Sequence, residues 1–468
     1  MKNLMMFAAL VAAGCGATVE DELAAGAKDD TTDGGVEAEP EPGEPCEANA
    51  FLGCSGNVAK RCAADGVTVT QETCDSGCNA GAERCNECDP DAVTCSGSAL
   101  QTCGADGLVA STESCTLGCS ATEARCEHIV PAYLPNVCDA PATTPLTVTQ
   151  TTIFNTDAEA SCTGGVIAQA NGPAICVVHH STISLNAKIT VRGSRAIAFV
   201  ADQDLVAAHD IDVAAQGRIS GPGGGFKVSG EKANSVGGGG AGGNVTGGRG
   251  GSGGLFNQPG SAGGAAFDPF FTNTFVGGDK AATVPGATVG NPAPTGGGGG
   301  GALMLVACRG VLQFDGEIVA SGGGGTGGSD VNTTSTVTLV GGAGGGAGGY
   351  VVLQGAEVTV NGRVFANGGG GGGGCIVDGC RGRAGDDGLS PTSSGNGGAA
   401  TGSAGAGGNG ASGSSGPGLT PSNTSLPGGG GGSTGWVQIF TAAGVSPVVS
   451  PLATLSPPLE PNRTVSTR

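Results

Sequence analysis

The chain of 468 residues has room for two or three domains, and its 96 Gly and 24 Pro set it apart from an ordinary globular composition. Glycine falls short of one residue in three and keeps no Gly-X-Y register, which excludes collagen. Forty acidic against 20 basic side chains give a formal charge of -20, which repels phosphate backbones and excludes nucleic acid as a partner, while only 3% aromatic residues restrict any core to thin layers of Val, Ile, Leu, Ala and Phe.

At the amino terminus, Lys2 and the apolar run Leu4 to Ala13 predict a signal peptide over residues 1–14, too short to anchor stably across a bilayer. The run ends in Ala12-Ala13-Gly14-Cys15, three small residues before a Cys, which resembles the bacterial lipobox. The lipobox pattern prefers Leu at the third position before the Cys, where this chain has Ala12. The resemblance implies cleavage before Cys15 and a diacylglycerol on its thiol, so that the membrane becomes a partner through the anchor. The plainer alternative is an ordinary secretory peptide cut nearby. Residues 15–45 follow as an acidic, disordered tether, because ten acidic side chains and almost no large apolar ones keep residues 16–45 extended and solvated.

Twelve cysteines come next in two phased sets, Cys46, Cys54, Cys62, Cys74, Cys78, Cys85 and Cys88, Cys95, Cys103, Cys115, Cys119, Cys126. Cys54 to Cys95 spans 41 residues, and Cys54-Ser55-Gly56, Asp65-Gly66 and Gly77-Cys78 recur at the same offset as Cys95-Ser96-Gly97, Asp106-Gly107 and Gly118-Cys119. These are two copies of one Cys-rich module, over residues 46–86 and 87–127. The Asp-Gly pairs are hairpin-turn chemistry. A module of this size seldom folds on apolar burial alone, whereas three disulfides, each contributing roughly 2–4 kcal/mol, make up the deficit. Six cysteines allow fifteen pairings, and the spacing does not select one. Zinc is the alternative for Cys85-x2-Cys88, but that pair straddles the repeat boundary and neither module contains a His; no metal site is expected.

A connector with Pro131, Pro135, Pro141 and Pro145 occupies residues 128–145. From 146 to 445 β-branched runs alternate with glycine tracts. The segments 195–217, 301–323 and 349–369 superpose, with shared endings in Ile211-Asp212-Val213-Ala214, Ile318-Val319-Ala320 and Val364-Phe365-Ala366. A degenerate copy begins at Gly435-Trp436, and an earlier turn of the repeat at Ile183 and Ile189. Short strands recurring in units of roughly 22 residues suit stacked parallel coils. The expected fold is therefore mainly β: two disulfide-rich modules followed by a Gly-rich, right-handed parallel β-helix-like solenoid, with residues 446–468 as a Pro/Ser-rich tail. The glycine insertions at 218–300, 322–348 and 368–434 are either mobile or packed backbone against backbone in polyproline II geometry.

Phe267, Phe270, Phe271 and Phe275 form an apolar island in the first insertion, readable as a contact patch for a glycan or partner protein, or as a plug seating the insertion on the strands. Outside the modules, Cys162 and Cys176, and likewise Cys375 and Cys380, are expected to pair; Cys308 reads equally as a buried thiol and Cys138 is left unassigned.

The sequence assigns no catalytic residue and no cofactor. Asn155-Thr156-Asp157 echoes a polygalacturonase motif, but the paired Asp, Gly-His-Gly and Arg-Ile-Lys elements of that family are missing. Asp202, Asp204, Asp210 and Asp212 suit a solvated strand face, since alternation sends Asp210 and Asp212 outward around Ile211. His179 and His180 are adjacent, so a strand points them to opposite faces.

The lipobox, acidic linker, tandem C-S-G-x5-C modules and glycine-rich β-repeats together resemble a family of surface lipoproteins common in myxobacteria and their relatives, over nearly the whole chain. The resemblance implies a place in the envelope and carries no catalytic residues. The expected function is a non-catalytic, lipid-anchored protein of the outer membrane or cell surface with a structural or adhesive role. A surface polysaccharide or another envelope protein is its expected partner. The alternatives are a carbohydrate-active β-helix enzyme using Asp202, Asp204 or Asp210, and an ice- or polymer-binding protein, which would display a regular flat face.

Overall fold

The computed structural model describes residues 45–225, 274–281, 294–328, 330–333, 336–339, 341–375, 381–388, 394–413, 417–420 and 428–468. The chain divides into two compact units, Met1–Glu87 and Cys88–Arg468. Apart from two short 3-10 turns, Val137–Asp139 and Glu159–Ser161, every regular element among the described residues is a strand.

The first Cys-rich module is an antiparallel meander of β1 (Phe51–Ser55), β2 (Val58–Cys62) and β3 (Val69–Thr73), followed by the small hairpin β4 (Cys78–Asn79) and β5 (Arg84–Cys85). The second repeats it as β6 (Val93–Ser96), β7 (Ala99–Cys103), β8 (Val109–Ser114), β9 (Cys119–Ser120) and β10 (Arg125–Cys126). Both choose the same one of the fifteen pairings, first to third, second to fifth and fourth to sixth: Cys46–Cys62, Cys54–Cys78, Cys74–Cys85 and Cys88–Cys103, Cys95–Cys119, Cys115–Cys126. Gly66 and Gly107 both sit at φ 72°, the left-handed geometry that their turns demand.

Most of the remaining strands form three parallel ladders. The first stacks β14 (Ile175–His180), β17 (Ala196–Ala201), the leading half of β20 (Ala302–Phe314), the leading half of β24 (Tyr350–Val360) and β26 (Trp436–Ala442). The second stacks β11 (Leu146–Val148), β15 (Ile183–Leu185), β18 (Leu205–Ala207), the trailing halves of β20 and β24, and β27 (Val448–Val449). The third stacks β12 (Thr152–Asn155), β16 (Ile189–Arg192), β19 (Ile211–Asp212), β21 (Glu317–Val319), β25 (Arg363–Phe365) and β28 (Thr454–Ser456). Because β20 and β24 run through both of the first two ladders, these join into one curled sheet. β13 (Val166–Ile167) pairs antiparallel with β14 at one end, and β29 (Arg463–Val465) pairs parallel with β26 at the other. The hairpin of β22 (Asp330–Thr333) and β23 (Thr336–Leu339) stands apart.

Parallel register sets like residues in columns. Ile189, Ile211, Ile318, Val364 and Leu455 are successive partners in the third ladder, and Phe199, Leu305, Leu353 and Ile439 in the first. These columns point into one core, and alternation sends Thr190 and Asp212 outward. The first ladder differs. Its other face is also apolar, through Ile175, Val177, Ala198, Val200, Met304, Val306 and Val352, and it packs beneath Ile129, Leu134, Cys138, Phe275 and Val276. A ladder covered on both faces reads as a continuous apolar run, which is the texture of AIAFVA and ALMLVA.

Two expectations are corrected here. Residues 446–468 do not form a tail, since they supply β27, β28 and β29. Pro447, Pro451, Pro457 and Pro458 flank β27 and β28 and blunt that edge of the stack. Residues 128–145 are more than a connector. Cys138 is bonded to Cys308, so Cys308 is not a free thiol, and the disulfide fastens a strap across the outer face of the first ladder. Cys162–Cys176 pair as expected. Cys375 is disulfide-bonded, and Cys380 lies outside the described residues.

Each long glycine insertion leaves after a third-ladder strand (β19, β21 or β25) and returns to the first ladder (β20, β24 or β26), so one corner of the stack gathers them all. Their described parts pack backbone against backbone. Gly368, Gly371 and Gly374 donate to Ala411, Gly408 and Gly405; Gly369 and Gly372 to Gly346 and Ala343; Gly370 and Gly373 to Asp386 and Arg383. The same segment accepts from Gly322, Gly325 and Gly328, from Gly395, Gly398 and Thr401, and from Gly432 and Gly429, all at 2.7–3.2 Å. Bonding to one neighbour at every third residue is the periodicity of a threefold extended helix, which repeats about every 9 Å. Six neighbours thus surround the segment 367–375. A Cβ on Gly371 would lie 2.0 Å from the Gly429 carbonyl oxygen, and one on Gly372 2.1 Å from that of Thr326, so no other residue fits there.

Candidate functional site

Four of the five carboxylates singled out in the sequence are spent on the scaffold. Asp157 Oδ1 accepts from the Ser194 amide at 2.9 Å and its hydroxyl at 2.7 Å, and these bonds hold the carboxyl below its ordinary range. Asn155 Oδ1 accepts from the Asp157 amide at 3.1 Å, and buried Thr156 accepts from the Arg195 amide at 3.2 Å. The Asn-Thr-Asp triplet therefore ties the end of β12 to the residues that follow β16. Asp202 is 2% exposed: Oδ1 meets His179 Nε2 at 2.9 Å, and Oδ2 accepts from the Ala142 amide of the strap. Asp204 Oδ1 accepts from the Val311 amide at 2.8 Å, capping the bulge in β20, where a Cβ on Gly310 would strike that oxygen. Asp212 pairs with Arg192 at 3.0 Å. Asp210 is exposed, as are Asp157 and Asp204. His180 turns away from Asp202, with Nδ1 3.1 Å from the Thr144 carbonyl oxygen and Nε2 3.3 Å from Thr163 Oγ1. Among the described residues no three His, Cys, Asp or Glu side chains gather as a metal site, and no helix is long and apolar enough to cross a membrane.

The phenylalanine patch is corrected in part. Phe275 is buried, with ring centroids 5.6 Å from both Tyr133 and Tyr350, whose hydroxyls are 3.0 Å apart. Gln169 brackets it, accepting from the Phe275 amide at 2.7 Å and donating to its carbonyl at 2.7 Å. An aromatic ring this enclosed seats the insertion and is not available as a contact surface. Phe267, Phe270 and Phe271 lie outside the described residues, as does Cys15.

Two surfaces that the sequence did not isolate remain. One is the strap, where Gln354 Oε1 accepts from the Ala132 amide at 2.8 Å and Leu117 of the second module joins Tyr133 and Val137 against the first ladder's cover. Its signal was present in the apolar residues of HIVPAYLPNVC, hidden among prolines. The other is the outer layer of the glycine bundle. Segment 381–388 bonds to 394–402, which bonds to 403–413, and Leu419 donates to Asn409. Inward positions such as Gly395, Gly398, Gly408 and Gly410 are glycine, whereas outward ones are Asn396 and Ala399 on one segment and Ser403, Ala406 and Asn409 on the next, spaced by threes within each. Asn396 Nδ2 donates to Asp386 at 3.0 Å, and Asn409 Oδ1 accepts from the Gly397 amide at 2.8 Å, so the polar side chains lie along the layer.

No protein-family model matches the chain, and neither a curated protein nor a solved structure does.

Proposed function

We propose that this protein is a non-catalytic, lipid-anchored component of the bacterial cell surface, in which Cys-rich modules carry a right-handed parallel β-helix-like solenoid and its glycine bundle for adhesion or envelope architecture. The ladder registers support the solenoid, because each coil contributes one strand to each ladder in chain order. The observation that carries the function is how the polar side chains are used: Asp157, Asp202, Asp204 and Asp212 hold backbone or basic partners in place. A scaffold that spends its carboxylates this way serves to present a surface. Eight described disulfides favour an oxidising compartment. The lipobox-like Ala12-Ala13-Gly14-Cys15 supplies the anchor.

Fatty-acid labelling of cells, combined with protease shaving, tests this reading. Wild type incorporates label and is shaved from intact cells, whereas Cys15→Ala loses the label. Equal labelling of the variant removes the anchor, and protection from protease on intact cells removes the surface location.

The outer bundle layer favours a second reading, an ice- or polymer-binding face. Small outward side chains at a repeat of about 9 Å make a regular surface. Co-sedimentation with insoluble polysaccharide and an ice-recrystallisation assay test it, with Asn409→Lys on the layer as the disrupting variant.

A further inference from the structure

We propose that the leading end of the strand stack, centred on β12, is a dimerisation edge that takes a second copy of this chain. β11, β12 and β13 are the outermost strands of the second, third and first ladders at that end. Among the described residues β11 pairs with β15 alone and β12 with β16 alone, so each has an open side. In β12 the Thr152 amide donates to the Lys188 carbonyl oxygen at 3.0 Å, and the Thr156 amide to that of Arg192 at 2.8 Å. Alternation along a parallel strand then turns the amide and carbonyl of Ile153 away from β16 and toward the open side. β11 repeats the pattern. The Leu146 amide donates to Thr182 and the Val148 carbonyl accepts from the Asn186 amide, both at 2.9 Å, which directs the backbone groups of Thr147 to the same edge.

The two ends of the stack are unlike. Proline and charge are the chemistry that keeps an edge from pairing, and the trailing end has proline around β27 and β28. The leading end has neither at its centre. Residues 146–172 contain no proline and no basic side chain, and residues 140–156 no charge of either sign. Ile153 is 70% exposed there, and Val166 and Ile167 on β13 add apolar surface. The charge decides what fits. Copies that carry -20 each repel one another, and they approach best where neither presents a charge. A charged partner finds nothing on this edge to pair with. A second copy finds its complement, because a twofold axis through Ile153 sets β12 antiparallel to β12. The Ile153 amide of each copy then donates to the Ile153 carbonyl of the other, and the two exposed side chains cover each other. Such an interface closes on itself as a dimer, and the proline-flanked trailing end does not extend it into a filament.

Light scattering on the full chain in detergent, which separates protein mass from bound detergent, tests the dimer. So short an edge makes a weak contact, so the mass is followed from about 1 μM to about 1 mM protein. It should rise toward twice the chain mass and stop there. Raising salt from about 0.01 M to about 1 M shortens the screening length from about 30 Å to about 3 Å, which relieves the repulsion between copies and should tighten the dimer. Ile153→Lys sets two like charges on the axis and should raise the dissociation constant about tenfold or more. Val448→Lys, at a 61% exposed position of the trailing end, should leave it unchanged. Amide exchange in wild type gives a second reading that needs no variant: protection of Ile153 should grow with protein concentration, while that of Phe154, bonded within the ladder, should not. Four results would overturn the proposal. They are a monomer throughout the range, growth beyond a dimer, a dimer that salt weakens, and a dimer lost in Val448→Lys but kept in Ile153→Lys. An Ile153 amide protected equally at every concentration would overturn it too, since a segment of the same chain would then cover the edge.

Discussion

The Cys-rich modules and the glycine bundle both do without a large apolar core, and they compensate in opposite ways. Each module closes three disulfides around a meander with few buried apolar side chains, so much of its stability comes from restricting the unfolded chain. The bundle has almost no side chains and gains its order from backbone bonds radiating to six neighbours around 367–375. One solution depends on the redox state of its surroundings and is indifferent to most surface substitutions. The other rests on backbone bonds, with Cys375 its one described disulfide cysteine, and is intolerant of a single added methyl group.

Reduction should separate the two regions most sharply. Opening Cys46–Cys62, Cys54–Cys78 and Cys74–Cys85 removes three contributions of roughly 2–4 kcal/mol each, more than so small a unit retains, and the module should unfold completely. Trp436, the only tryptophan, leads β26 beside the bundle, so its fluorescence should persist under reductant while exchange protection in residues 46–86 disappears. Simultaneous loss of both signals would show that the regions fold as one. The converse experiment is Gly371→Ala. A Cβ 2.0 Å from the Gly429 carbonyl oxygen cannot be relieved by moving a side chain, since both partners are backbone. The expected loss is about 3 kcal/mol or more, read as a lower midpoint of the Trp436 transition, whereas Ala399→Ser on the outer layer should stay within about 0.5 kcal/mol. Equal effects from the two would break the lattice account.

The same contrast governs what could be read in advance. The 41-residue repeat from Cys54 to Cys95 exposed the modules because cysteine positions carry information, although spacing alone could not choose among pairings. The ladder strands were legible from their shared endings. The bundle was not, because glycine leaves no side-chain pattern to tell a packed segment from a mobile one; the signal lay in the non-glycine positions, Asn396, Ala399, Ser403, Ala406 and Asn409. The strap was missed because Cys138 and Cys308 are 170 residues apart, and β27–β29 because prolines break that segment into pieces of two or three residues. At the candidate site, local alternation placed Asp210 and Asp212 outward correctly, whereas burial of Asp202 under the strap is a tertiary fact with no local trace.

Between these extremes lie the caps. Asp204→Ala removes the acceptor for the Val311 amide at the β20 bulge and should cost about 1–2 kcal/mol. Exchange should accelerate at Val311 and leave the bundle amides of 367–375 untouched. Spread into the bundle would mean that the bulge, rather than backbone bonding, sets the bundle's register.

The smallest effect concerns acid and distinguishes the modules from each other. Asp65 accepts from the Val67 amide at 3.0 Å, the Thr68 amide at 2.9 Å and the Thr68 hydroxyl, and these bonds to the charged form lower its pKa from 3.8 to about 2. A carboxyl that binds its proton less tightly in the folded state stabilises it fully above the ordinary value, and that contribution is lost as pH falls from about 4 through about 2. Protection of the Val67 and Thr68 amides should therefore decline within that window, modestly, because the group is fully solvated. In the second module Val109 stands where the first has Thr68, and it has no hydroxyl to donate to Asp106. Thr68→Val should bring the first module's acid response to a higher pH by removing the largest of the three bonds. An unmoved midpoint would mean that the two amides alone hold the carboxylate, and that the hydroxyl is incidental to the turn.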